Sequence, residues 1–152
     1  RLPGIARVGG FVTEGLPRMS GELVLFLSAG VLAAGISTAV AASGVDLTPA
    51  SFGPTQASLL LILMVLLSIV GIHPVISVTT ASGLILPAAP DPNLLAMTFL
   101  MTWAAGVCVS PFSGLSLAIQ GRYSINAFGF LRWNGLFALL LIGLDILVLH
   151  LM

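Results

Sequence analysis

From Leu23 to Val45 the chain carries no charged side chain. A helix crosses the hydrocarbon core of a bilayer in about 20 apolar residues, so this stretch is expected to be a transmembrane helix. Further apolar runs follow at Gln56–Val70, Leu94–Val109 and Asn134–Met152. They are continuous and rich in Leu, Ala and Ile, unlike the short alternating segments of a membrane barrel. Of 152 residues, 58% are hydrophobic and 7% charged, against about 25% charged in a soluble domain. The expected class is an all-α integral membrane protein in a lipid bilayer.

Net charge is zero and lysine is absent. Without a basic stripe, nucleic acid is not an expected partner. Cys108 is the single cysteine and lies in an apolar run, where a packing thiol fits. Met97 and Met101 read as packing residues too. No spacing matches a metal site, a phosphate loop or a nucleophile triad, so an enzyme is not expected.

Residues 1–21 hold Arg1, Arg7, Arg18 and Glu14 among glycines and prolines. They read as a cytoplasmic or interfacial lead-in, and residues 22–152 as one membrane domain. The lead-in lacks the apolar core of a signal peptide and begins with Arg, so the chain is expected to be part of a longer protein. Ser20 is placed to cap the first helix and Glu22 to sit in its first turn. Ala29, Gly30, Ala33, Ala34, Gly35 and Ala39 put small residues at helical spacing, which permits close helix contact.

Asp46–Thr55 is a loop. Gln56–Val70 is apolar but short for a span, and it meets Gly71 and Pro74. Proline lacks a backbone donor and clashes with the turn before it, so the helix should stop there. A second short helix is expected over Thr79–Leu86 before Pro87. Helix, break, short helix is the pattern of a re-entrant hairpin. Leu94–Val109 then reaches Ser110-Pro111, and Leu115–Gln120 resumes it as one interrupted span. Gly121–Trp133 reads as an amphipathic surface connection, and Asn134–Met152 as the last span. With the lead-in inside and the hairpin entering and leaving from outside, Arg1, Arg7, Arg18, Arg122 and Arg132 all fall inside. Asp46 and Asp91 then fall outside, as the positive-inside rule requires. The C-terminus is then outside, and the expected location is the cell membrane. The fold is three transmembrane helices, one interrupted, plus one re-entrant hairpin.

Ser77-Val78-Thr79-Thr80-Ala81 with Leu84-Ile85-Leu86-Pro87 resembles the hairpin tip of the ion transporter superfamily, which includes divalent anion/sodium symporters and arsenite permeases. Ser110-Pro111-Phe112-Ser113-Gly114, then Gly121-Arg122-Tyr123-Ser124-Ile125, resembles the unwound stretch of that family's next helix and the connection after it. Glu22–Gly30 is similar to the helix before the hairpin. The resemblance covers Glu22 to Met152 as the C-terminal half of such a protein. It implies an inverted-repeat fold, an N-terminal half on the same chain, and a homodimer. Val78 stands where the symporters carry asparagine, and the second break lacks the family's asparagine and paired prolines. Both differences remove polar ligands.

The function the resemblance implies is secondary transport of a small, anionic solute coupled to a sodium or proton gradient. A sodium/proton antiporter of the same superfamily and a non-transporting anchor or assembly subunit are the alternatives. The solute and ion would bind at Ser77, Val78, Thr79, Thr80, Ser110, Pro111, Ser113, Gly114 and Ser116. Half-helices beginning near Ser77–Thr79 and Ser113–Leu115 would aim positive N-terminal ends at the solute. Freed carbonyls at Gly71, Ile72, Val109 and Ser110 would suit a bound sodium ion; no organic cofactor is implied. The plainer reading is that these hydroxyls cap backbone groups opened by the prolines. His73 and Asp145 are the candidate proton-coupling residues. Against that role, His73 has a simple hydrogen bond at the kink, and Asp145 a place at the outer interface near His150.

Overall fold

The computed structural model describes residues 8–10, 12–13, 20–45, 49–126 and 128–152, without the side chains of 21, 22 and 25. Arg1, Arg7, Arg18, Glu14 and Asp46, with most of the lead-in, lie outside the described residues. So do the side chain of Glu22 and the residue before Ser20. The charge test of topology therefore rests on the sequence.

All regular structure among the described residues is helical. The elements are α1 (Ser20–Ser43), α2 (Pro54–Val70), α3 (Pro74–Ile85), a 3-10 turn (Leu86–Ala88), α4 (Pro92–Val109), α5 (Gly114–Tyr123) and α6 (Gly129–Leu151). Among the described residues, three stretches are long and apolar enough to cross a membrane: Phe26–Ser43 within α1, Pro92–Tyr123 covering α4 and α5, and Gly129–Leu151. The helices α2 and α3 are shorter.

Proline sets where three of these helices begin. The residue before proline is driven to extended backbone, and proline itself is pre-formed for the first helical position. Gly53, His73 and Asp91 are each extended at ψ −173°, 135° and 124°, and Pro54, Pro74 and Pro92 each open a helix. Gln56 accepts from the Gly53 N–H, and Asp91 Oδ1 accepts from the N–H groups of Asn93 and Leu94 at 2.9 Å. The first break is made by Gly71 in the left-handed region, φ 111°. Its N–H and that of Ile72 turn back to the Leu67 carbonyl, which closes α2.

Because Pro74 starts a helix, α3 begins about one turn before the expected Thr79. The helix end therefore lies at His73–Pro74, and Ser77, Thr79 and Thr80 sit inside α3 rather than at its N-terminus. Elsewhere α5 extends to Tyr123 and α6 starts at Gly129, so the connection expected over Gly121–Trp133 shrinks to a few residues around Ser124, which adopts left-handed backbone.

Packing fixes the directions. Ser68 near the end of α2 meets Gly106 near the end of α4, and the two helices pack along their length. The helices α2 and α4 therefore run side by side in the same direction. Between them α3 folds back on α2, with Leu60 and Met64 clustering with Val78, Ala81 and Ile85. The last helix runs the opposite way: Asn134 near its start donates from Nδ2 to the carbonyl of Cys108, near the end of α4, at 2.8 Å, and α6 packs back along α4. On the other side, α1 packs on α3. Its contact stripe is Ala29 and Ala33, both buried, with Ser37 against Gly83. Gly30 and Gly35 face open space. Of the small residues expected to allow close contact, Ala29 and Ala33 lie on the packed face, joined by Ser37.

Candidate functional site

The two breaks meet. A methyl group built on Gly71 would lie 2.8 Å from Cδ2 and Cε2 of Phe112, so the ring rests directly on the Gly71 backbone. Just above this contact, Gly106 lets α4 approach α2 and the start of α3: a Cβ there would lie 2.9 Å from Ser68 Oγ and 3.4 Å from Pro74 Cγ. His73 and Trp103 stand edge to face with ring centres 6.1 Å apart. Parallel running of α2 and α4 makes this junction, because their breaks come at matching heights.

The second break is a closed serine network. Ser110 is extended, as Pro111 demands, and both residues are buried. Ser113 caps α5, accepting from the Ser116 N–H at 3.2 Å and donating to Ser116 Oγ at 2.9 Å. Ser116 Oγ in turn donates to the Ser110 carbonyl at 2.9 Å. Gln120 reaches back to the Pro111 carbonyl at 3.0 Å. Gly114 is exposed at the first position of α5. The Ser110 carbonyl and the Ser113 and Ser116 hydroxyls, expected as ligands, spend their hydrogen bonds on one another and on the backbone.

At the first break, His73 Nδ1 accepts from the Val75 N–H at 3.2 Å and caps α3. This assigns the ring proton to Nε2. Ser77 Oγ donates to the Pro74 carbonyl at 3.0 Å, and Thr79 Oγ1 to the Val75 carbonyl at 2.7 Å. Val78 is half-buried beside Leu60 and Met64. Such local bonds to backbone are the usual use of Ser and Thr in apolar helices. Thr80 differs: its Oγ1 is buried and has no partner among the described residues.

Thr80 also lines a cavity of about 510 Å³ between α1, α2 and α3. Leu59, Leu63, Ile76 and Leu84 are typical of its walls, with Gln56, Ser77 and Thr80 the polar exceptions. The cavity touches the first break at Ile72 but includes no residue of the second. The expected site residues thus divide, with Ser77 and Thr80 facing this apolar space and Ser110, Pro111, Ser113 and Ser116 locked in the serine network.

Asp145 lies elsewhere, on the α6 stripe that carries Ala138 and Leu149, and it is 6% exposed. Its Oδ2 is buried without a partner among the described residues. Its stripe is the face of α6 that packs on α4 and α2, six residues before the helix ends at Leu151. His150, by contrast, is exposed and turns Nδ1 to the Ile146 carbonyl of its own helix. Sequence reasoning missed Ser68, Thr102 and Asn134. The first two are fully buried on the α2–α4 seam, and Thr102 Oγ1 is another buried hydroxyl without a partner among the described residues. Polar residues recurring one turn apart, such as Thr98 and Thr102, were the available signal. Among the described residues no cluster of His, Cys, Asp and Glu is placed to hold a metal.

No protein-family model matches this chain, and neither the curated proteins nor the solved structures gave a match.

Proposed function

We propose that the chain is the transport unit of a secondary active transporter, moving a small anionic solute coupled to a sodium or proton gradient. One observation carries the reading: two interrupted helical elements run in parallel and touch at their breaks, through Gly71 and Phe112. Broken helices in facing elements are the arrangement from which membrane transport sites are built. In this reading α2 and α3 form a re-entrant hairpin, which agrees with α3 folding back so that α4 runs the same way as α2. The N-terminal ends of α3 and α5, capped by His73 and Ser113, supply the positive potential for an anion. The unit works in the cell membrane with a second half of the same protein, as a homodimer.

The closed serine network bears on which ion is coupled. A sodium ion at the second break would have to share oxygens of Ser110, Ser113 and Ser116 that already hold hydrogen bonds. Cation/proton antiport is the second reading, favoured by the buried carboxyl of Asp145.

The test is uptake by proteoliposomes holding the full-length protein. Radiolabelled dicarboxylates and inorganic oxyanions are offered under an imposed sodium or proton gradient. Gradient-dependent accumulation of any of them is the expected result. Leak-tight vesicles that accumulate none, while exchanging sodium for protons, would turn the assignment to antiport. Vesicles that do neither would leave a membrane anchor or assembly subunit.

A further inference from the structure

Asp145 is the one acidic side chain buried within a span among the described residues, and nothing there compensates it. It sits on the packed stripe of α6, six residues before the helix ends at Leu151, or about 9 Å along the axis. The helices packed against α6 are α4 and α2. Residues Pro54–Val70 of α2 include no ionisable side chain. The span of α4 offers only Cys108, at the far end beside Asn134. Asp91 caps the N-terminus of α4 and spends Oδ1 on the N–H groups of Asn93 and Leu94. On α6 itself Arg132 is exposed near the opposite end, and His150 is exposed and turned to its own helix. Among the described residues no cation is therefore placed to pair with Asp145.

A buried carboxylate without a counter-charge is costly; in apolar surroundings the group is carried as the neutral acid instead. An ionisable residue held inside a span marks an ion or proton path by default. Most hydroxyl protons along the seam are spent on backbone carbonyls, while Thr102 Oγ1 has no partner among the described residues. Ser58 Oγ donates to the Pro54 carbonyl, Thr98 Oγ1 to the Leu94 carbonyl and Ser68 Oγ to the Met64 carbonyl. A proton, unlike sodium, needs a single oxygen.

We propose that Asp145 is the proton carrier of this transport unit, so that the coupling ion is H⁺. This deepens the transport reading and rests on it. In the packed state the carboxyl holds the proton on one oxygen. When the α2–α4–α6 seam opens to water, the O–H bond breaks, the proton passes to water as hydronium, and the carboxylate is hydrated. Closing the seam requires a proton to return from the other side, because the bare carboxylate cannot be packed dry. Proton release is thereby tied to the conformational change.

The test needs no solute. Full-length protein in lipid vesicles is treated with dicyclohexylcarbodiimide, an apolar reagent that couples to protonated carboxyl groups, and the modified residue is found by peptide mass spectrometry. The expected result is an adduct at Asp145 in acidic buffer. Above the titration midpoint the protonated fraction, and with it the adduct, falls about tenfold per pH unit. Sodium chloride and potassium chloride should have equal effects. Asp145→Glu should keep the pH-dependent adduct, and His150→Ala should leave it unchanged. No adduct at Asp145 in acidic buffer, or one indifferent to pH, overturns the proposal. Protection by sodium but not potassium overturns it too, by assigning the carboxylate to sodium. Wild-type protein alone decides the matter should a variant fail to fold. A failed uptake panel with pH-dependent labelling would count against the transport reading alone, whereas uptake without labelling would remove only the proton carrier.

Discussion

The ring of Phe112 covers the backbone of Gly71, so that the break ending α2 and the break ending α4 form a single junction. A side chain at position 71 would force the Phe112 ring to shift. A Cβ there would meet the ring at 2.8 Å, and φ 111° is disfavoured for any L-residue. Gly71→Ala is therefore expected to destabilise the protein by about 1–3 kcal/mol. Adding Phe112→Ala should relieve the clash but not the backbone strain, recovering part of the loss. Reversible unfolding in mixed micelles measures both. A neutral Gly71→Ala variant would mean that the two breaks do not pack in this way.

The position of α1 has a covalent test. A Cβ on Gly83 would lie 3.8 Å from Ser37 Cβ, inside the range of about 3.5–4.5 Å for disulfides. In a Cys108→Ala background, Ser37→Cys with Gly83→Cys should crosslink on mild oxidation. Gly30→Cys with Gly83→Cys should not, since Gly30 faces open space. Crosslinked peptides identified by mass spectrometry would report the outcome. Equal yields from both pairs would argue against α1 packing on α3 through its Ala29–Ala33–Ser37 stripe.

The serines of the second break hold structure. Ser113→Ala removes the cap of α5 and is expected to cost about 1 kcal/mol. Ser116→Ala removes the bond to the Ser110 carbonyl, with a cost of similar size. Because each serine relies on the other, the double variant should cost less than the sum of the two single costs. Strict additivity in unfolding measurements would show that the hydroxyls do not share a network.

Replacing Asp145 should separate stability from function. Asp145→Leu removes an unpartnered buried polar group from a packed seam, and a gain of about 1–2 kcal/mol is expected. The same variant should lose gradient-driven accumulation. A large loss of stability would mean that Asp145 holds a structural bond.

Much of this architecture is legible in the sequence, because charge-free length and proline are blunt physical signals. The uncharged run of Leu23–Val45 identifies α1, and Gly71 with Pro74 and Ser110 with Pro111 locate the breaks. The side of a proline on which a helix lies is less legible. Pro74 can be read as ending a helix or opening one, and the His73 cap selects the second, moving Ser77 and Thr79 from a helix end to its interior. Which hydroxyls are free is not legible either. Ser116 and Thr80 look alike in sequence, yet one bonds across the break and the other has no partner among the described residues. Helix register decides that Asp145 lies on the packed face of α6, and its nearness to the chain end does not reveal that face.

The most direct test of the account is uptake by proteoliposomes of the full-length protein, offered radiolabelled dicarboxylates and oxyanions under an inward proton gradient. Ser37–Gly83 crosslinking would serve as the check that the protein is folded. The account predicts accumulation of at least one anion, abolished when a protonophore collapses the gradient and unaffected by replacing sodium with potassium. Correctly crosslinked protein that accumulates none of them, under either a proton or a sodium gradient, would contradict it.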